Sequence, residues 1–148
     1  MRPEISDLDQ QIIKEMQRDG RISISELAKS VNLSVPATHV HVKKLEKEGY
    51  IRRYTAVVDY EKLGYDLKCF LQVTLQWHQT PQLEAVMSAT GEMPEVLECY
   101  KVTGEFDFLL KVILRNHREL DQFINKIGRI PGVARINTHI VVDEIKSN

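Results

Sequence analysis

The chain has 148 residues, 43% of them hydrophobic and 28% charged, with a formal net charge of −1. Those values describe an ordinary globular protein of one domain or two small ones. They exclude a bilayer span, for which no apolar run is long enough, and Met1-Arg2-Pro3-Glu4 opens no signal peptide, so a cytoplasmic protein is expected.

Residues 7–17 come first. Leu8, Ile12, Ile13 and Met16 mark one face of a helix, with Ser6 or Asp7 as cap and Asp19-Gly20 as its stop. Ser23-Ile24-Ser25-Glu26 then fits a capping box, the serine at N-cap and the glutamate reaching back from N3. Leu27, Ala28 and Val31 give this second helix a short apolar face, and Val31-Asn32-Leu33 is a tight connection to a third. That helix, within 34–50, is signed at both ends: Ser34 is a good N-cap. Gly49 suits the left-handed C′ position, with Tyr50 beyond it placed to pack on Leu45.

Between these caps Thr38, His41, Val42 and Leu45 form a narrow inward stripe. The opposite face shows Val35, Pro36, His39, Val40, Lys43 and Lys47, with no acid before Glu46. A helix that is small and uncharged at its start and basic further on can enter a major groove. Two short helices joined by a three- or four-residue turn, the second bearing such a face, have helix-turn-helix geometry. The weak overall charge hides an uneven distribution: residues 34–55 hold five cations against two anions, whereas 61–148 hold ten against twelve. A local basic surface is what phosphate contact requires, and its modest size calls for more than one subunit on the DNA.

Residues 51–58, β-branched and aromatic, are expected to form a strand or a short two-stranded wing, with Arg52 and Arg53 touching the flanking DNA backbone. Leu63-Gly64-Tyr65-Asp66 reads as a hinge. The division is therefore 1–60 for a winged helix-turn-helix domain, 61–66 for the hinge and 67–148 for a second domain.

The second part changes rhythm. Cys69, Leu71, Val73, Leu75 and Trp77 alternate with Phe70, Gln72, Thr74 and Gln76, the period of a strand. Thr80-Pro81 caps and starts a helix with Leu83, Val86 and Met87 on its apolar face, ended by Gly91. Residues 96–103 and 108–114 are strands around the loop Gly104-Glu105-Phe106-Asp107. Asn116 begins a helix with the stripe Leu120, Phe123, Ile124 and Ile127, and after Ile130-Pro131-Gly132 a last strand covers 133–142. The order β-α-β-β-α-β is a ferredoxin-like unit, so the whole chain is α+β. Such a sheet has helices on one face only. Phe70, Tyr100, Val102, Leu109 or Leu110, and Ile113 are too apolar to leave the other face in water, and self-association is the simplest cover. Cys69 and Cys99, in apolar strand-like runs, are expected to be buried reduced thiols. Two cysteines alone build no thiolate cage, and no metal site or cofactor is expected.

The chain resembles the Lrp/AsnC family of transcription regulators. The residues that carry the likeness are Asp9, Ile12-Ile13, Asp19-Gly20-Arg21, Glu26-Leu27-Ala28, Leu33-Ser34, Lys44-Leu45-Glu46, Gly49-Tyr50-Ile51, the Thr103-Gly104-Glu105-Phe106-Asp107-Phe108 run and Pro131-Gly132-Val133. Their order and spacing along the full length are more specific than any one of them. The resemblance implies a DNA-binding domain joined to an effector domain that builds homodimers and octamers, with an amino acid or related small metabolite held between dimers. On the reading of the helix face given above, Ser34, Val35, Pro36, His39, Val40, Lys43, Lys47, Arg52 and Arg53 would meet double-stranded DNA. The effector site would use Tyr100, Thr103, Gly104, Asp107, Ile136 and Thr138. His41 stands where the family commonly has Arg, and Ile136 where it commonly has Thr.

An enzyme is the first rival reading, but no nucleophile–base pair, carboxylate pair or phosphate loop occurs at a usable spacing. A stand-alone amino-acid-sensing regulatory subunit without specific DNA binding is the second, and the basic helix argues against it. RNA binding through the sheet is the third, and the stacking aromatics it needs are missing from 96–114.

Overall fold

The computed structural model of the protein describes residues 4–147. The opening Met1-Arg2-Pro3, read above for the absence of a signal peptide, lies outside them. The chain divides into two compact units, Met1–Val57 and Val58–Asn148.

Three helices make the first unit: α1 (Asp7–Arg18), α2 (Ile24–Ser30) and α3 (Val35–Lys47). Each start is capped by a serine. Ser6 accepts the Asp9 amide, Ser34 accepts the Ala37 amide, and Ser23 with Glu26 completes a reciprocal capping box. Asn32, at φ 54°, turns the chain between α2 and α3, a left-handed conformation that asparagine tolerates better than most residues. Gly49 closes α3 at φ 78° with its amide on Glu46 O, and Ile51 donates to Leu45 O. Ile51 packs against the core of Ile12, Leu27, Val31, Val42 and Leu45, and Tyr50 is exposed.

Residues 51–58 form neither the expected strand nor a two-stranded wing within this chain. Their β-branched side chains favour a pleated ladder only where a neighbouring strand accepts them, and among the described residues the first unit holds no strand. Tyr54, Val57 and Val58 remain exposed. The stretch expected to be a hinge is a folded turn in the second unit. Tyr65 donates its amide to Tyr60 O, the two rings meet edge to face, and the Arg115 guanidinium lies 5.0 Å from the Tyr65 ring centre.

The second unit is the βαββαβ sheet: β1 (Leu67–Leu75), α4 (Thr80–Gly91), β2 (Val96–Lys101), β3 (Phe108–Leu114), α5 (His117–Gly128) and β4 (Val133–Ile140). The strands are antiparallel in the order β2-β3-β1-β4. Cys69, Leu71 and Val73 face the same side as their partners Val112, Leu110 and Phe108, and with Val86, Leu120, Phe123 and Ile127 they make the core. β1 stops at Leu75, leaving Trp77 exposed. Gln79 rather than Thr80 is the N-cap of α4, and it makes no side-chain cap bond. Asn116 caps α5 through the Glu119 amide. Cys69 is buried as expected, but Cys99 is exposed because β2 is an edge strand with few neighbours.

On the other face, Phe70, Val102 and Leu109 are half-buried, Ile113 is buried and Tyr100 is exposed, while Leu110 belongs to the core. Gly132 has φ 91°, and a Cβ there would come within 2.8 Å of Gln82 Cγ. Backbone conformation and close approach thus both demand glycine.

Candidate functional sites

In the first unit, α3 presents its expected outward face. Val35 is 45% and Val40 66% exposed, and Pro36, His39, Lys43 and Lys47 are also open. Ser34 spends its Oγ on capping, so its amide neighbours are ordered before any partner arrives. Thr38, Val42 and Leu45 are buried on the opposite side. The first two turns of the exposed face carry no acid, so an anionic backbone meets no repulsion there and sees the positive end of the helix dipole. Arg52 and Arg53 are exposed directly after the helix.

Two features of this face were not expected. Glu46 Oε2 lies 3.2 Å from Lys43 Nζ, and Tyr54 donates its hydroxyl to Glu46 Oε1 at 2.8 Å. Burial, and then the Glu46 carboxylate, push the Tyr54 phenol up to about 12. The second feature is behind the helix. Asp9 of α1, 1% exposed, lies 2.7 Å from His41 Nδ1 and 3.4 Å from Lys44 Nζ. The sequence held one hint of it, a charged residue one turn before Ile12 on the apolar side of α1.

In the second unit, the loop after β2 is closed by the Val102 amide on Asp107 O, with Gly104 at φ 114°. Asp107 is more than a loop carboxylate. Its Oδ2 accepts the Leu75 amide hydrogen, its Oδ1 lies 2.7 Å from His78 Nε2, and its own amide donates to Val73 O. His78 was not foreseen, since it lies in the loop after β1, 29 positions from Asp107 in the chain. Thr103 and Gly104 are exposed beside this clasp. Tyr100 points away from the helices, opposite Leu109, and its hydroxyl donates to Glu98. That hydrogen bond is the main cause of its raised pKa.

The other two expected site residues point elsewhere. Ile136 pairs with Val73 and Thr138 with Leu71, so both face the helices, and Ile136 packs against the core. β2 and β4 are opposite edges of the sheet. One chain therefore places Thr103, Gly104 and Asp107 in one loop, with Tyr100 on the sheet face away from the helices and Ile136 and Thr138 on the helix-facing side of the opposite edge strand. Among the described residues no group of three or more His, Cys, Asp or Glu could hold a metal ion, and no helix is long and apolar enough to cross a membrane.

Comparison with known proteins accounts for both units. Residues 68–148 match the Lrp/AsnC ligand binding domain, and residues 5–52 match a winged helix-turn-helix DNA-binding domain. The HTH-type transcriptional regulator FL11 of Pyrococcus horikoshii is 34% identical over 96% of this chain and 92% of its own length. The leucine-responsive regulatory protein of Klebsiella pneumoniae is likewise 34% identical, over 95% of this chain and 87% of its own. Among solved structures, a transcriptional regulator of Neisseria meningitidis in complex with L-Met superposes with a TM-score of 0.92 at 28% identity, covering 97% of this chain and 94% of that one. Escherichia coli AsnC gives 0.87 at 29% identity, covering 98% and 97%.

Proposed function

Since the chain belongs to the Lrp/AsnC family of transcription regulators, we propose that it reads a specific duplex through α3 and that an amino acid or related small metabolite, held near Gly104 and Asp107, tunes that binding. It is a DNA-binding regulator with a ligand-binding domain. The observation that carries the rest is the outward face of α3, apolar and uncharged at its start, basic from Lys43 onward, and flanked by Arg52 and Arg53.

Val35 and Val40 are suited to thymine methyl groups and His39 to a purine edge, while Lys43, Lys47, Arg52 and Arg53 take phosphates. We read the protein as a binder rather than a catalyst, acting in the cytoplasm where DNA is at hand. The half-exposed apolar face with Phe70, Val102 and Leu109 favours a homodimer and higher assembly such as an octamer. Self-association also supplies what one chain lacks, a neighbour to complete the pocket around Thr103, Gly104 and Asp107. The curated relatives and the L-Met complex support an amino acid as ligand. Ile136, half-buried against the core, is read as favouring a ligand side chain of apolar character.

Selection of duplexes from a random library, with and without each of the twenty amino acids, tests this. A roughly palindromic site should emerge, and a His39→Ala variant should change preference at one or two positions, each worth ~1–3 kcal/mol. Equal binding to all duplexes, with an amino acid still bound in calorimetry, would favour the stand-alone sensor instead.

A further inference from the structure

We infer that His41, closed on buried Asp9, is a positioning residue for DNA recognition, and that its charge state makes selective binding proton-dependent. The inference rests on α3 being the helix that reads DNA.

The geometry is specific. His41 lies on the inward stripe of α3 and meets α1, where Nδ1–H donates to Asp9 Oδ1 at 2.7 Å. Lys44, one turn further along α3, reaches Oδ2 of the same carboxylate at 3.4 Å. Asp9 is 1% exposed, so its charge has little access to water and depends on these two partners. Asp9 from α1 and Lys44 from α3 are the charged groups facing His41, and among the described residues α2 adds no ion pair to the cluster.

Such a joint matters because a helix surface is wide. The side chains of a helix ~10–12 Å across move by roughly 2 Å when it turns about 20° on its axis. A hydrogen bond to a base edge tolerates about 0.5 Å. The apolar contacts of Val42 and Leu45 hold α3 down, but dispersion and burial are not directional. The Asp9–His41–Lys44 contacts are directional, and they fix which residues of α3 face outward.

An arginine in place of His41 would carry its charge at every physiological pH. A histidine changes charge between about pH 5 and 8. The imidazolium makes the charge-assisted bond to Asp9, and the neutral ring makes a weaker one. Tight positioning therefore belongs to the protonated ring and relaxes when the ring loses its proton. When fewer molecules hold α3 in its binding-competent rotation, apparent affinity falls by the same fraction.

The test compares affinity for a library-selected duplex and a random duplex from pH 5.5 to 8.5 at fixed salt, with urea unfolding in parallel. In the wild type the specific-to-random ratio should fall by about threefold or more across the range. His41→Arg should flatten that profile while keeping selectivity, His41→Ala should lose selectivity at all pH values, and His39→Gln should keep the pH-dependent fall. If His41→Ala unfolds, the His41→Arg profile still decides. A slope unchanged in His41→Arg, a folded His41→Ala with full selectivity, or a slope abolished by His39→Gln alone would overturn the inference. A wild type with no preference for any duplex would overturn it together with the DNA-reading assignment of α3. Selectivity that is intact but indifferent to pH would overturn the inference alone.

Discussion

The carboxylate of Asp107 accepts the Leu75 amide hydrogen at 2.7 Å, so the residue proposed to hold a ligand also clasps the start of β3 to the end of β1. Its two roles separate by substitution. Asp107→Ala leaves a half-buried amide without its acceptor and should cost ~1–3 kcal/mol in urea unfolding. Asp107→Asn keeps an acceptor and should remain close to the wild type in stability, yet bind an amino acid more weakly because a neutral amide cannot offset an ammonium charge. Calorimetry showing full ligand affinity in Asp107→Asn would leave Asp107 with the structural role alone.

Glu46 restrains Lys43 and Tyr54 together. Absorbance titration should find one phenol ionising near 12, and Glu46→Gln should bring it down, because burial remains but the carboxylate's contribution is gone. The same change frees Lys43 for phosphate. Binding to any duplex should strengthen and the dependence of log affinity on log salt should steepen, by about 0.9 for one added phosphate contact. A phenol unmoved by Glu46→Gln would contradict the Tyr54–Glu46 assignment.

Lys43→Ala and Arg53→Ala act in the opposite direction. Each should weaken specific and random duplexes alike and flatten the salt slope by about 0.9 if it removes one phosphate contact. A loss confined to the specific duplex would assign that residue to base reading instead.

Asp9 links pH to stability. Burial raises its pKa, but hydrogen bonds from His41, Ser6 and Lys44 outweigh burial and hold it below the usual carboxylate range. A group depressed in this way stabilises the fold above about pH 4 and ceases to as pH falls through its folded value. Asp9→Asn should lower stability at neutral pH and flatten the acid limb of the stability curve. Urea midpoints from pH 2.5 to 7 would reveal it, and an unchanged acid limb would assign that limb to other carboxylates.

The second unit should stand alone. It has its own core from Cys69 to Ile130, and a fragment of residues 58–148 should fold cooperatively. Sedimentation should find it associated at micromolar concentration through the face bearing Phe70, Val102 and Leu109. A folded monomer would place self-association elsewhere, with the exposed 51–58 segment the next surface to examine.

What the sequence determined by itself was local. Ser23 with Glu26, Ser34, Gly49 and Asn116 could be read as helix ends because each acts on amides within about four residues. The alternation through Cys69, Leu71 and Val73 declared a strand, and the stripe Leu120, Phe123 and Ile127 a helix, because side-chain direction follows backbone period. The outward face of α3 followed from the same rule. Tertiary structure decided the rest. Residues 51–58 have strand composition and no strand, since a ladder needs a partner that composition cannot name. Cys99 is exposed because β2 lies at an edge, a fact of strand order. That order also separates Tyr100 from Thr138, and only folding brings His41 to Asp9 and Asp107 to Leu75. Contacts between residues far apart in sequence depend on how elements cross, and no local pattern encodes that crossing.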